Sequence, residues 1–267
     1  MTTPADRAFI AEFCLERVGL RLDPDKAYLI ESRLAPVARR EGFATSEAFL
    51  GALRESLDER MGWALAEAMV LPETEFFHDR EVFEHLVEEV LPELAAARAG
   101  APVRIWSAAC GAGQEVYSLA MALLDAPAPV GPVEIYASDL SERCLEKAQA
   151  GLYSQFEVQR GLPARKLVRH FEKDGESFAL SPRVRQMVRW RRVNLMDDLA
   201  RFGQFDLILC RSLISQLAPG AQTQVMGRLS EVLAPGGRLV LGLKDRPAVG
   251  IAPVITSLGL YELSAAA

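Results

Sequence analysis

Residues 103–113, VRIWSAACGAG, decide the fold. A short β-rich run ends in small residues, turns through Gly111-Ala112-Gly113 and leads into a helical stretch at 114–125. The pattern continues downstream with strand-like runs at 133–138 (VEIYAS), 206–210 (DLILC) and 238–243 (RLVLGL), and helical stretches at 140–149 and 221–233. Alternation of this kind predicts an α/β domain on a parallel, doubly wound, Rossmann-like sheet. Residues 152–193 interrupt it with a short helix at 163–171 and two strand-like runs, SFALS (177–181) and VRQMVRWRRV (184–193), separated at Pro182. This segment reads as a small antiparallel insert on the edge of the domain, and 95–101 as an alanine-rich loop.

Upstream, residues 4–70 carry only helical periodicity. Phe9, Ile10, Phe13 and Val18 recur at helical spacing in 5–18. Asp23-Pro24 reads as an N-cap with proline in the first turn, opening a helix with Ala27, Ile30, Leu34 and Val37 on one stripe and a bend at Pro36. Two further helices are expected at 46–57 and 59–70, making a small bundle. The domains expected are therefore helical over 1–72 and α/β over 73–267, with the insert at about 152–193.

Composition narrows the function. Of 267 residues, half are hydrophobic and a quarter charged, the balance of a soluble globular protein. The net charge of −6 supplies no field for nucleic acid, and no apolar run approaches the ~18 residues of a bilayer span. The first residues are acidic and amphipathic, unlike a signal peptide. Cys14, Cys110, Cys144 and Cys210 are widely spaced, without a CxxC pair or clustered histidines. That pattern argues for reduced thiols in a cytoplasmic protein and against a disulfide framework or a metal site.

Small residues after the first strand let a ligand approach the backbone, although a GxG turn also serves merely to reverse the chain. Three features add weight. Asp139 ends the second strand, where a carboxylate can accept both ribose hydroxyls; its plainer role is an N-cap for the next helix. Asn194-Leu195 offers an amide and an apolar face to an adenine, and a turn asparagine is the plainer reading. Leu233-Ala-Pro-Gly-Gly237 before RLVLGL looks like the junction before a late strand of class I methyltransferases. With no third glycine for a pyrophosphate, these features point to an S-adenosylmethionine site.

Over nearly the whole chain the sequence resembles the CheR family, which esterifies glutamates of chemotaxis receptors. The family's Thr-x-Phe-Phe-Arg-Asp appears as Thr74-Glu75-Phe76-Phe77-His78-Asp79. Its Trp-Ser-Ala-Ala stretch, ending in Gly-Glu-Glu-Pro-Tyr-Ser-Leu-Ala-Met, runs from Trp106 to Met121. Its Ala-x-x-Gly-x-Tyr matches 148–153, its Asn-Leu matches Asn194-Leu195, and its Cys-Arg-Asn block is Cys210-Arg211-Ser212. The resemblance implies a cofactor site of Thr74, His78, Ala109, Gly111, Gly113, Glu115, Asp139, Asn194, Leu195, Arg211 and Ser212, with His78, Arg211 and Gln216 beside the transferred methyl. It also implies an N-terminal helical domain and a small β-insert. Departures from the pattern include Pro72 and Ser212 in place of asparagines, His78 in place of an arginine and Gln216 in place of a tyrosine.

Lys26, Arg33 and Arg40 recur every seven residues and share one helix face. A solvated face is the plain reading; the resemblance implies docking on the acidic cytoplasmic helical bundle of a chemoreceptor by a monomeric enzyme. Some family members also grip a receptor tether as an added strand, and the compact turn at 172–177 implies that this chain does not. Cys110 and Cys210 read as packing residues, His85 and His170 as helix-surface and helix-end residues, and Arg211 equally as a structural ion pair.

Methyl transfer to a carboxylate asks little of an enzyme, because a glutamate is already an anion at neutral pH and no general base is required. The expected function is a protein-glutamate O-methyltransferase using S-adenosylmethionine and releasing S-adenosylhomocysteine. A degenerate binding or regulatory module is the alternative. A small-molecule methyltransferase is a third, disfavoured by the N-terminal helices.

Overall fold

The computed structural model describes residues 2–264 except Pro24, Leu57, 71–73 and Ala248, so Pro72 lies outside the described residues. The chain divides into two compact units, Met1–Leu71 with Gln216–Gln224, and Pro72–Ser215 with Val225–Ala267.

The first unit holds α1 (Pro4–Val18), α2 (Ala27–Arg40), α3 (Ser46–Ser56) and α4 (Glu59–Met69). Thr3 and Asp6 form a capping box at the start of α1, and Gly19 closes it in the left-handed region. Asp23 does not cap α2 as expected. Its Oδ1 accepts the N–H of Asp25 at 3.1 Å in the turn ahead, and the helix starts at Ala27 with Lys26 as its cap residue. α2 runs through Pro36 without interruption. Ile10, Cys14, Ile30, Leu34, Phe49, Leu50 and Leu65 are buried. Residues 216–224 join this unit through an antiparallel bridge of Leu20 with Leu217 and a bond from Arg21 N–H to the Gln216 carbonyl at 3.0 Å.

In the second unit a continuous helical run comprises α5 (Arg80–His85), a π-helical turn at Leu86–Val90 and α6 (Leu91–Ala97). It was not legible in the sequence, and it makes 95–97 helical where a loop was expected. The strands are β1 (Val103–Ser107), β2 (Val133–Asp139), β3 (Leu152–Ser154), β4 (Phe171–Asp174), β5 (Ser177–Leu180), β6 (Val188–Arg192), β7 (Phe205–Cys210), β8 (Leu233–Leu241), β9 (Ile251–Ile255) and β10 (Leu260–Leu263). The helices among them are α7 (Gln114–Leu124), α8 (Glu142–Ala150), α9 (Gln155–Gln159), α10 (Ala164–His170) and α11 (Pro182–Arg185), while α12 (Pro219–Val232) has its first residues in the first unit and the rest in the second.

The main sheet has the order β6-β2-β1-β7-β8-β10-β9, parallel except for β10, which is antiparallel to both of its neighbours. β7 is buried at every residue, as a central parallel strand covered on both faces must be. Pro253 sits in β9 at the sheet's edge, where a missing donor is tolerated.

A separate three-stranded antiparallel sheet, β3-β5-β4, forms the insert. The strand-like run at 184–193 does not belong to it. Its first two residues end α11, 186–187 form a turn, and β6 pairs parallel with β2, Val188 opposite Ile135 and Arg192 opposite Asp139. The alternation of Val188 with exposed arginines suits an edge strand of the main sheet. No helix among the described residues is long and apolar enough to cross a membrane.

Candidate active site

A doubly wound sheet collects ligands outside the carboxyl ends of its strands. There a cavity of about 330 Å³ opens, lined by Thr74, Glu75, His78, Ala109, Cys110, Glu115, Arg160, Arg211 and Ser212. That volume lies at the lower end of the ~300–1,000 Å³ usual for small-molecule sites. The backbone around it is strained. Phe77, Asp79 and Ser212 are three of the four described non-glycine residues with positive φ, at 49°, 55° and 64°. Such residues persist where surrounding structure over-determines them, typically beside ligands.

Arg211, at the end of β7, organises the cavity's floor. Its Nη1 donates to the His78 carbonyl at 3.1 Å and to Glu115 at 3.4 Å, while Nη2 donates to Asp79. His78 Nδ1 lies 2.8 Å from the same Asp79 oxygen. Arg211 Nη2 also lies 3.3 Å from this Nδ1, and Nε2 lies 3.7 Å from Glu75. The ion-pair reading of Arg211 is therefore met, and the residue also lines the cavity. Glu115, on the first turn of α7, accepts from Ser107 Oγ at 3.3 Å. Burial pushes its carboxyl above the ordinary value, and Arg211 opposes that rise.

Asp139 is buried. Its Oδ2 accepts the N–H of Gly111 at 2.8 Å and its Oδ1 that of Ser141 at 2.9 Å, so it fastens the glycine turn to the start of α8. Ser141, not Asp139, is the N-cap of that helix. Burial raises the Asp139 carboxyl while these bonds lower it. The Leu140 N–H also lowers this carboxyl, and Asp139 is not among the residues that line the cavity. Asn194 Oδ1 accepts the N–H of Met196 at 3.1 Å, the turn role, and Leu195 is buried. Gly113 adopts φ +90°, and a Cβ there would meet Ala148 at 2.9 Å, so this glycine serves packing as much as approach. Burial raises the thiols of Cys110 and Cys210, which are packing residues.

The remaining candidates lie in the other unit. Gln216 contributes its carbonyl to Arg21 there. Arg33 Nη1 donates to the Met69 carbonyl at 2.9 Å at the end of α4, so it is not a freely solvated docking residue, whereas Lys26 and Arg40 are exposed. Among the described residues no group of histidine, cysteine and acidic side chains could hold a metal.

Two residues were missed in the sequence. Asp245, buried beyond β8, accepts the N–H groups of Ser212, Ser215 and Gly242 at 3.0, 2.8 and 3.0 Å. It fixes the loop after β7, and nothing in a lone aspartate before an arginine marks it. Arg160, after α9, reaches the cavity and pairs with Glu75 at 3.1 Å.

Replacing Asp245 with alanine is expected to leave three N–H groups unsatisfied and destabilise the protein by roughly 2–4 kcal/mol, at ~1–3 kcal/mol per buried orphan less water's compensation. Urea unfolding measures this, and a loss under about 0.5 kcal/mol, the range of a neutral surface change, would remove Asp245 from the support of the site.

The cavity fits S-adenosylmethionine in one specific respect. Thr74 Oγ1 and Arg211 Nε, on two of its lining residues, are buried with no hydrogen-bond partner within the protein. Orphaned buried groups cost about 1–3 kcal/mol each, so a polar ligand that engages them is favoured.

A family model described as "CheR methyltransferase, SAM binding domain" matches residues 72–248. "Chemotaxis protein methyltransferase 1" of Pseudomonas aeruginosa is 36% identical over 248 residues, covering 90% of this chain and 88% of that protein. The "Chemotaxis protein methyltransferase" of Vibrio parahaemolyticus is 33% identical, covering 88% and 86%. That of Vibrio anguillarum is 32% identical, with the same coverage.

Proposed function

Because the chain belongs to the CheR methyltransferase family, we propose that it methylates glutamate carboxylates on the helical bundle of a chemoreceptor. The chain is an S-adenosylmethionine-dependent methyltransferase. The acceptor is argued from the cavity: each titratable group lining it, cysteine apart, is already engaged. Glu115 is paired with Arg211, Glu75 with Arg160, and His78 with Asp79. A hydroxyl or ammonium acceptor needs a base to take its proton. A carboxylate does not, since it arrives as an anion.

The bound cofactor supplies a methyl group already activated on a sulfonium. The acceptor oxygen forms its bond to that carbon as the carbon–sulfur bond breaks, with the electron pair passing to sulfur. The protein's part is to hold, align and exclude water. In this reading Asp139 takes the ribose, Asn194 and Leu195 the adenine, and Thr74, Glu115 and Arg211 the amino-acid end. Transfer of labelled methyl to receptor cytoplasmic fragments tests the proposal. The label is expected in alkali-labile esters, released as methanol. Alkali-stable label would indicate a nitrogen acceptor, and absence of transfer by cofactor-bound protein would favour a binding module.

The ammonium of the cofactor is assigned to Glu115, which gives a pH dependence. Burial holds this carboxyl above the ordinary 4.5, so in free protein it stays protonated further up the acid range. A cation bound beside it favours the ionised form, so binding expels a proton there. Affinity for S-adenosylhomocysteine is expected to rise with pH through the acid range, up to the raised value of the free carboxyl, and then level. Calorimetry in buffers of different ionisation enthalpy reads the proton directly. Proton uptake on binding in that window would refute the assignment.

Docking is proposed for the exposed cations Lys26 and Arg40. Their reversal to glutamate is expected to weaken receptor binding several-fold at low salt and much less at high salt, where the Debye length shrinks from about 10 to about 3 Å. Arg33→Glu is a poor probe, because it also removes the bond to the Met69 carbonyl. Binding that is indifferent to both reversal and salt would place the receptor contact elsewhere. The compact β4–β5 hairpin supports a tether-independent approach to the receptor.

A further inference from the structure

We infer that Arg160 is the cation that receives the cofactor's amino-acid carboxylate, in a cavity where His78 stands at the position of the motif's arginine. The inference rests on the methyltransferase reading and names one contact within it. A methionine end carries a carboxylate, and a buried carboxylate requires a cation or several donors. Three basic residues line the cavity: Arg211, His78 and Arg160.

Arg211 is committed. Its side chain is 6% exposed, and both terminal nitrogens are spent on Asp79, Glu115 and the His78 carbonyl. Its Nε can give one hydrogen bond, but its charge faces two carboxylates already. His78 directs Nδ1 to Asp79, and an imidazole carries charge only when protonated. Arg160 differs in both respects. It is always charged, its side chain is 53% exposed at the cavity, and its one carboxylate partner among the described residues is Glu75, through Nη2. A guanidinium has five N–H donors in a planar fork, so a second carboxylate can be taken without releasing the first.

The local chain delivers Arg160 to this place. Ser154 and Glu157 form a capping box that starts α9, and Lys147 pairs with Glu157. The turn after the helix then passes Gly161 at φ +78°, where a Cβ would lie 1.9 Å from the Phe76 carbonyl oxygen. The backbone after Arg160 is therefore pressed against the Thr74–Phe77 segment, beside Glu75. The Phe156 ring backs the guanidinium at 5.6 Å. Arginine at 78 would stand among Glu75, Asp79 and Arg211; here the charge comes from a different element and the same cavity.

The test uses two ligands: S-adenosylhomocysteine, and 5′-methylthioadenosine, which keeps adenine, ribose and sulfur but lacks the amino-acid end. By calorimetry on the full chain, Arg160→Ala is expected to weaken S-adenosylhomocysteine about 10- to 150-fold, the scale of a charge-assisted bond, and to leave methylthioadenosine unchanged. Arg160→Lys should lose less than alanine. Adding His78→Arg to Arg160→Ala should recover part of the affinity, since both positions flank Glu75. Equal losses for both ligands would mean a structural role and overturn the inference. Unchanged S-adenosylhomocysteine affinity with a raised KM for the receptor would overturn it by moving Arg160 to the methyl acceptor. Wild-type protein that binds neither ligand would overturn the cofactor reading and this inference together.

Discussion

Gly161→Ala is expected to destabilise the protein by about 3 kcal/mol or more, the largest effect of any single methyl in this region. Two costs add. A non-glycine residue in the left-handed region costs ~1–2 kcal/mol, and overpacking against a fixed neighbour ~1–3 kcal/mol. The neighbour here is backbone, the Phe76 carbonyl oxygen 1.9 Å from the ideal Cβ, and so cannot rotate away. Phe76 is itself fully buried, edge-on to Tyr153 and Phe171 at 4.9 and 5.7 Å, so the strain cannot be relieved by shifting its chain outward. The same displacement would move Glu75 and the Phe77 N–H, which donates to Ser118 Oγ at 2.9 Å, and thereby disturb the cavity wall. Urea unfolding with S-adenosylhomocysteine titration on the residual folded protein measures both effects. A loss below about 1 kcal/mol, the ordinary cost of a point change, would show that the turn is loose and that Gly161 does not position Arg160.

What the sequence made legible follows from periodicity. β1, β2 and β7 are short apolar runs ended by small or polar residues, and α7 and α12 carry long helical patterns, so the parallel core was readable. Three of the elements that were not show why. The run at 80–97 mixes Glu and Leu around a π-turn, which breaks the 3.6-residue period over Leu86–Val90. β6 alternates valine and tryptophan with arginine, as an antiparallel insert strand would, and only its pairing with β2 places it in the main sheet. β9 contains Pro253, which argues against a strand anywhere except at an edge.

The candidate site was legible where its residues follow a strand's end or a helix start and obscure where they arrive from loops. Asp139, Glu115 and Arg211 follow directly from β2, α7 and β7. Arg160 and Asp245 come from irregular segments whose positions are set by tertiary contacts: Gly161 against Phe76, and Asp245 under the N–H groups of Ser212, Ser215 and Gly242. The duller alternatives also had substance. Asn194 does cap a turn, Arg211 is in an ion pair, and Arg33 is bound within its own helical unit. In the first two cases the structural role fixes a residue that the proposed function then uses, which is why motif and scaffold could not be separated in the sequence.

Asp139→Ala is expected to weaken both S-adenosylhomocysteine and 5′-methylthioadenosine by about 1–3 kcal/mol, because both carry the ribose. Its partners make the variant informative in a second way. The carboxylate binds Gly111 and Ser141 N–H groups, so alanine also leaves two buried donors unsatisfied and should lower stability by roughly 1–3 kcal/mol. Asp139→Asn separates the two effects. One amide oxygen can still accept from Gly111 or Ser141, but the amide loses the charge that strengthens bonds to two hydroxyls. Asparagine should therefore retain more stability than alanine while losing comparable affinity. The two ligands then sort the site into its ends. Loss at Asp139 falls on both, whereas loss at Arg160 falls only on the ligand with a carboxylate. If the residues act on separate ends, the double variant loses the sum for S-adenosylhomocysteine, since independent sites add within about 0.5 kcal/mol. Affinity for both ligands that survives Asp139→Ala would reduce Asp139 to the fastener of the Gly111 turn, and the ribose would need another acceptor.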